Sequence, residues 1–291
     1  MRSIAVLGSG DLAATVARRV AEQELARRIV LVEADESRAR GKALDIAQSA
    51  PVERFDVQLE AAASLAAAGA FDVIVVADPP ELADASQPPA RASALGESLA
   101  PLAAQKLLIV AWAGAAASAS TLIEAAVRKG LARERVVGSA PVAYAAALRR
   151  RLASELQAEP RAVSAMVLGL PPAVLIVPRE SACLGGVCVD RLSPVALRRA
   201  AAGLAGRSLG PVALAAAAAR VLRALQGTRA SVLGVTSLLQ GEYGHRGVAL
   251  AVPARLGAGR LESIVEVPLE PVDRIAFDGA AQQRQQEKYW A

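Results

Sequence analysis

The stretch Ser3–Ala14, which reads SIAVLGSGDLAA, decides the fold of this chain. Its first five residues, SIAVL, form a short apolar run of the kind that becomes a buried strand. The next six, GSGDLA, match the pattern G-x-G-x-x-G/A, which joins a strand to a helix in dinucleotide-binding folds. Gly8 permits the tight turn, Gly10 leaves room for a phosphate close to the backbone, and Ala13 lets the helix pack closely against the strand.

This turn predicts an anion site at the N-terminus of the helix that begins near Asp11. The first backbone N–H groups of a helix have no partner within it, and the helix dipole places positive charge at the same end. We therefore expect the phosphates of a dinucleotide to lie against Gly8, Ser9, Gly10, Asp11 and Leu12. The alternative is a glycine-rich turn whose role is only structural.

An acidic residue, Glu33, follows the second predicted strand at the distance from the glycines that a dinucleotide fold requires. A carboxylate there accepts hydrogen bonds from the hydroxyls of the adenosine ribose and repels a 2′-phosphate. The pattern therefore favours NAD over NADP as the cofactor. Arg38 and Arg40 lie close by in the sequence and would weaken that preference.

The size and composition of the chain exclude several classes of protein. Its 291 residues suit two domains, and it has no run of 18 apolar residues free of charge that would predict a membrane span. No signal peptide precedes the first strand. Cys183, Cys188 and the one histidine, His245, are too few for an ordinary zinc site, so no metal is expected. These features favour a cytoplasmic protein.

The charge pattern argues against nucleic-acid binding. The chain has 33 basic and 28 acidic residues, which are interleaved and leave a net charge of +5. The one basic run, Arg149–Arg151, lies on a predicted helix. Aromatic residues make up 3% of the chain, which is too few for a surface on which bases could stack.

Helix and strand patterns alternate through the first half, which predicts βαβ crossovers and a parallel sheet covered on both faces. The predicted elements there include a helix over 35–48, a strand at 57–59, a helical run over 61–68, a strand over 72–76, a loop over 77–90 and a helix over 91–105. In the second half, a long helix over 142–157 precedes a strand over 163–168, and strands over 231–238, 247–252 and 261–267 indicate an antiparallel meander. We therefore predict an α/β fold, with a Rossmann dinucleotide-binding domain over 1–139 and an α+β domain over 140–291.

Six further motifs, in this order, resemble the lactate and malate dehydrogenases over nearly the whole chain. They are RGKALDI at 40–46, RVVGS at 135–139, VLG at 167–169, SVLGV at 231–235, QGEYG at 240–244 and VALAVPARLGAG at 248–259. The resemblance implies a C-terminal domain of that family's substrate-binding type, NAD as the cofactor, and a homodimer or homotetramer. The Ala-rich helices over 35–48 and 211–225 have small side chains that allow the close helix contacts of such an assembly.

Hydride transfer to a 2-keto acid needs a proton donor, for which histidine is suited near neutral pH, and an arginine that holds the substrate carboxylate. The family supplies this His, an Asp that orients it, this Arg, and an Asn near the nicotinamide. In this chain the His position is Pro171, the Asp position is Tyr144 and the Arg position is Ala147. The chain contains no Asn, and the Asn position falls within 111–116. We therefore assign no catalytic residue; only Arg91 could stand in for an arginine of the family's mobile loop.

Three residues are candidate substitutes. His245 is expected at the surface of a turn, and Arg149 on another face of its helix. Tyr144 could donate a hydrogen bond, but an ordinary pKa of about 10 suits it poorly as a proton donor, so we expect it to fill the emptied site. Three functions stay open. The chain could bind NAD(H) without the family's hydride-transfer chemistry, it could be an active NAD-dependent oxidoreductase with an altered site, or it could be a structural subunit of an assembly. The first is favoured, because residues that act as a unit are missing together.

Overall fold

The computed structural model describes residues 2–8, 10–79, 88–112 and 118–289 of the chain. The first half alternates strands and helices. Its strands are β1 (Ser3–Gly8), β2 (Arg28–Val32), β3 (Gln58–Ala62), β4 (Val73–Asp78), β5 (Leu107–Val110) and β6 (Val136–Gly138). Its helices are α1 (Asp11–Glu22), α2 (Glu36–Glu53), α3 (Pro88–Leu102) and α4 (Ser118–Arg128), with a 3₁₀ turn over Leu65–Ala70.

These strands form a parallel sheet in the order β3-β2-β1-β4-β5-β6. This is the strand order of a Rossmann fold, as predicted for the first half. Strands β1, β4 and β5 are buried along nearly their whole length, since parallel sheets carry helices on both faces. The carboxyl ends of β1 and β4 are neighbours, which places Gly8 directly opposite Asp78.

The second half combines helices with antiparallel strands. Its helices are α5 (Ala140–Glu155), α6 (Val189–Leu192), α7 (Pro194–Ala202), α8 (Pro211–Gln226) and α9 (Pro271–Tyr289). Its strands are β7 (Val163–Ser164), β8 (Leu168–Leu170), β9 (Val174–Ile176), β10 (Cys183–Leu184), β11 (Val187–Cys188), β12 (Ser231–Gln240), β13 (Arg246–Gly257) and β14 (Arg260–Ile264). Strands β12, β13 and β14 form the predicted antiparallel meander.

One continuous sheet connects the two halves. Strand β12 pairs with β6 through Thr236 and Gly138, and the order continues as β6-β12-β13-β8-β9. Helix α8 packs against α1, where Nη2 of Arg223 donates a hydrogen bond to Oε1 of Gln23 at 2.9 Å. One buried apolar cluster therefore draws residues from both halves. The division into domains at residue 139 stays a prediction.

Three segments differ from the predicted elements. The helical run over 61–68 is instead the end of β3 followed by the 3₁₀ turn, because the chain stays paired with β2 as far as Ala62. The strand over 163–168 is divided between β7 and β8, which belong to different sheets; between them the N–H of Met166 donates to Oγ of Ser181 at 3.2 Å. Helix α3 begins at Pro88, a residue that suits the first turn of a helix. Residues 80–87 of the predicted loop lie outside the described residues.

A buried ion pair joins the C-terminal helix to the sheet. Arg284 of α9 is 1% exposed, and its Nη2 donates to Oε2 of Glu124 at 2.8 Å and to Oγ1 of Thr121 at 3.0 Å. Glu124 of α4 is also buried, and its Oε1 accepts the N–H of Ala249 in β13 at 2.7 Å. Glu287 of α9 pairs with Arg284 as well. The partners of the two buried charges thus come from α4, α9 and β13 together.

Candidate functional site

The glycine-rich turn lies between the end of β1 and the start of α1. Gly10 is the N-cap residue of α1, and it offers no side chain to the first N–H groups of the helix. Gly8 has a φ of +151°, a conformation that favours glycine. A Cβ atom added at Gly8 or at Gly10 would overlap with the carboxylate of Asp78. The two glycines thus form a cradle of the size of an anionic group; Ser9, predicted to lie there too, is outside the described residues.

The carboxylate of Asp78 fills this cradle. Asp78 is the last residue of β4, its Oδ2 accepts the N–H of Leu12 at 2.9 Å, and its Oδ1 accepts the N–H of Ala13 at 3.1 Å. Both N–H groups belong to the first turn of α1, which the sequence predicts as the phosphate site. Asp78 itself is absent from the sequence-based predictions. The signal that could have found it is an acid at the end of the strand expected beside β1.

The surroundings of Asp78 act on its charge in opposite directions. Burial, the largest effect, raises the pKa of the Asp78 carboxyl. Hydrogen bonds from the N–H groups of Leu12, Gly10 and Ala13, and the nearby charge of Lys42, lower that pKa. Helix α1 therefore begins against an internal acidic group that is largely removed from water.

Glu33 directly follows β2, as predicted, and its side chain is 2% exposed. Nζ of Lys42 lies 3.2 Å from its Oε2, and Nε of Arg38 lies 3.4 Å from its Oε1. Arg40 instead pairs with Glu36. Of the two arginines expected to weaken the preference for NAD, only Arg38 is therefore at Glu33, and Lys42 was not anticipated. These two cations would offset part of the repulsion between Glu33 and a 2′-phosphate.

A narrow cleft beside Glu33 tests whether these residues fit a dinucleotide. It lies between the ends of β1 and β2, is lined by Gly8, Glu33 and Leu65 among others, and has a volume of about 70 Å³. A small-molecule pocket typically measures about 300–1,000 Å³, so this cleft by itself has room for only a part of a dinucleotide. The glycine cradle, the helix N-terminus and Glu33 fit NAD, whereas Asp78 stands where the pyrophosphate belongs.

In the second half, Tyr144 and the segment that contains Pro171 both contact the loop after α7. Tyr144 of α5 is fully buried, and its hydroxyl donates a hydrogen bond to the carbonyl oxygen of Arg207 at 2.9 Å. Burial raises the pKa of Tyr144 to about 12, so its hydroxyl stays protonated at neutral pH. Pro171 follows β8, and the carbonyl of the next residue, Pro172, accepts the N–H of Gly206 at 2.9 Å. The loop after α7 thus binds both segments.

Ala147, the residue at the Arg position, lines a groove of about 610 Å³ between α5, α8 and β12. Most of the lining is alanine and other apolar residues, and Arg149, Arg150 and Arg220 also line it. Arg149 was expected on another face of the helix, but it lines the same groove as Ala147. Its Nε is buried and has no hydrogen-bond partner among the described residues.

The other residues considered from the sequence lie apart from these. Arg91 is in the first turn of α3 and lines a cavity of about 310 Å³ together with Leu95. His245 lies in the turn between β12 and β13, as expected, but it is only 15% exposed, and its Nε2 is 2.7 Å from Oδ1 of Asp278. The family's Asn position falls within 111–116, and residues 113–116 of this range lie outside the described residues.

The described residues offer neither a metal-binding cluster nor a helix that could span a membrane. No three His, Cys, Asp or Glu side chains among them are grouped so that they could hold a metal ion. Over the same part of the chain, no helix combines the length and the apolar character needed to cross a membrane.

Comparison with known proteins shows the same relationship over nearly the whole chain. Residues 2–83 match the family model described as the lactate/malate dehydrogenase NAD-binding domain. The malate dehydrogenases of Thermomicrobium roseum and Thioalkalivibrio sulfidiphilus are each 31% identical to this chain, over 297 and 299 residues, which is 96% of this chain and 95% of each relative. The structure of the malate dehydrogenase from Salinibacter ruber matches with a TM-score of 0.83 at 25% identity and covers 98% of this chain and 95% of that one. The enzyme from Aeropyrum pernix has a similar fold, with a TM-score of 0.86 at 21% identity over 99% of this chain and 98% of that one.

The fold and the glycine-rich turn define a dinucleotide-binding protein of the α/β class. The chain belongs to the lactate/malate dehydrogenase family. The predicted fold class is confirmed, and the match to an NAD-binding domain supports the prediction of NAD as the cofactor. That Pro171, Tyr144 and Ala147 replace the family's catalytic His, Asp and Arg stays a prediction.

Proposed function

We propose that this chain binds NAD(H) but does not transfer hydride to the 2-keto acids that the family's enzymes reduce. The observation that carries the proposal is the environment of Tyr144, at the position where the resemblance places the orienting Asp. Its side chain is closed off from solvent and its hydroxyl is committed to the carbonyl of Arg207. With a pKa of about 12, this hydroxyl is a poor proton donor at neutral pH.

The neighbouring positions support the same conclusion. Pro171 has no side-chain group that could give or take a proton, and Ala147 has none that could hold a carboxylate. Most of the groove beside Ala147 is apolar, which suits a ligand with a large apolar part, while Arg149, Arg150 and Arg220 at the same groove can hold an anionic group of that ligand. We also propose that the protein works in the cytoplasm, because Cys183 and Cys188 are free thiols, as is usual in a reducing compartment.

Binding of NAD(H) is the first expected result. A ligand at 100 times its Kd adds about 2.7 kcal/mol to the free energy of unfolding, which raises the Tm of a protein of this size by about 5 °C or more. We expect such a shift with NADH in a thermal melt, and a smaller one with NADPH. Glu33→Ala should lose the preference for NADH, because Lys42 and Arg38 would then face the ribose without their acid.

The matched control is Glu36→Ala, which removes a more exposed acid three residues further on, at the start of α2, and should leave both shifts unchanged. The absence of any shift with millimolar NAD or NADH would contradict the proposed binding and leave the glycines with a structural role.

A homodimer or larger assembly is the second expected result. Helix α2, one of the two helices predicted to pair between subunits, exposes Leu44 by 58% and Val52 by 81%, and α8 exposes Val212 by 65%. A partner helix that packs against these side chains would remove them from water, which favours association. Light scattering at tens of micromolar should show more than one subunit. Leu44→Glu should shift the protein towards monomer, and Val187→Glu, on the β10–β11 hairpin, should not; a monomeric unmodified protein would contradict the prediction.

A further inference from the structure

We infer that Asp78 is an intramolecular competitor of the dinucleotide: its carboxylate takes the place of the pyrophosphate and must be displaced before NAD(H) binds. This inference rests on the proposed NAD(H) site, and it adds the residue that limits how readily that site is filled. No other acid among the described residues makes hydrogen bonds to the first turn of α1.

The backbone N–H groups at the start of α1 can be fully bonded to only one anion at a time. A helix offers only a few N–H groups at its N-terminus, and a phosphate there is held by the same groups. In this chain Leu12 and Ala13 donate theirs to the two oxygens of Asp78 at 2.9 and 3.1 Å. An N–H group cannot serve a carboxylate and a phosphate at full strength together, so the two anions exclude each other.

The volume beside Gly8 and Gly10 also has room for only one of the two anions. Gly8 and Gly10 are the residues that let a phosphate approach the backbone, and the Asp78 carboxylate occupies the volume beside both of them. A pyrophosphate placed in the cradle would overlap with that carboxylate. The Asp78 side chain must therefore turn out of the cradle.

Charge repulsion also separates a bound pyrophosphate from an ionised Asp78. Glu33 and Asp78 are both acids at this end of the sheet, and Lys42 interacts with both. Adding a pyrophosphate while Asp78 stays ionised in place would bring like charges together in a partly buried site, which is costly. Displacement to solvent, or loss of the Asp78 charge, removes that cost.

A purely structural role is the alternative, because a carboxylate at a helix N-terminus also stabilises the helix. Such a cap predicts a loss of stability when Asp78 is removed, but no gain in ligand affinity. The two roles therefore differ in the sign of one measurement.

The experiment compares unmodified protein with Asp78→Ala and Asp78→Asn, using calorimetric titration with NADH and, separately, with inorganic pyrophosphate. Asp56→Ala is the control, because it removes one negative charge at an exposed site away from the turn. We expect Asp78→Ala to bind NADH at least about tenfold more tightly than unmodified protein, since it frees N–H groups for charge-assisted hydrogen bonds. Pyrophosphate should bind to Asp78→Ala and not detectably to unmodified protein, and Asp56→Ala should behave as unmodified protein does.

Amide hydrogen exchange without ligand tests the hydrogen bonds on which both roles depend. The amides of Leu12 and Ala13 should exchange slowly in unmodified protein and faster in Asp78→Ala. Asp78→Asn keeps the shape and removes the charge, so it should lie between the two in NADH affinity; it also replaces Asp78→Ala if that variant does not fold.

The outcomes separate the inference from the proposed function. Equal NADH affinity in unmodified protein and Asp78→Ala would overturn the inference and leave NAD(H) binding intact. Failure of unmodified protein to bind NADH, with binding by Asp78→Ala, would support the inference and contradict the proposed function of the natural chain. If neither protein binds NADH or pyrophosphate, both are wrong.

Discussion

Pyruvate and oxaloacetate should not be reduced by this protein, nor lactate and malate oxidised, at any rate above the enzyme-free blank. Loss of a general acid alone lowers a rate by about 10²- to 10⁴-fold. Here the resemblance places Pro171 at the acid, Tyr144 at the residue that orients it and Ala147 at the carboxylate clamp. The measurement is the decay of NADH absorbance with each keto acid, with unmodified protein at high concentration.

Restoring one group should not restore the reaction. Pro171→His alone would place an imidazole without a carboxylate to fix its tautomer, and the substrate carboxylate would still face Ala147. Tyr144→Asp alone should destabilise the fold, because its carboxylate would be buried and would meet the carbonyl of Arg207, an acceptor like itself. Only the triple variant Pro171→His, Tyr144→Asp and Ala147→Arg should begin to show turnover, since such residues act as a unit.

Tyr144→Phe is the matched control for folding, as it removes only the hydroxyl and its hydrogen bond to Arg207. Turnover by the unmodified protein that disappears in Arg91→Ala or His245→Ala would refute this prediction. It would establish instead an active oxidoreductase with an altered site.

Arg284→Met should cost about 3–5 kcal/mol in the free energy of unfolding, because it leaves Glu124 as a buried charge without its cation. Urea unfolding followed by fluorescence or circular dichroism measures this. In the double variant Glu124→Gln with Arg284→Met, the amide oxygen can still accept the N–H of Ala249, so most of the lost stability should return.

The control for this pair is Arg40→Met, which breaks an exposed pair with Glu36 and should cost less than about 1 kcal/mol. If Arg284→Met costs no more than Arg40→Met, the buried pair does not hold α9 in place.

The features that sequence reasoning found are those that depend on local pattern. Alternating strand and helix patterns specify the parallel sheet, because period and punctuation are readable over a few residues. The cradle glycines, Gly8 and Gly10, and the acid Glu33 are linked by spacing within one βαβ unit, so they could be placed correctly.

The features that escaped are contacts between residues far apart in the chain. Asp78 lies 66 residues from Leu12, and Arg284 lies 160 residues from Glu124. Neither contact leaves a repeating pattern, and each depends on which strands become neighbours. Lys42 belongs to the motif RGKALDI, and its contact with Glu33 depends on where α2 begins: Arg38 and Lys42 are four residues apart, so one turn of α2 brings both cations to Glu33.

The pairing of β6 with β12 has a consequence for how the chain folds during synthesis. Gly138 and its partner Thr236 are roughly a hundred residues apart, and a ribosome adds about 5–20 residues per second. The outer edge of β6 therefore waits roughly 5–20 s for the strand that covers it. Its length of three residues keeps the number of unpaired backbone groups small during this time, which limits pairing with the wrong chain.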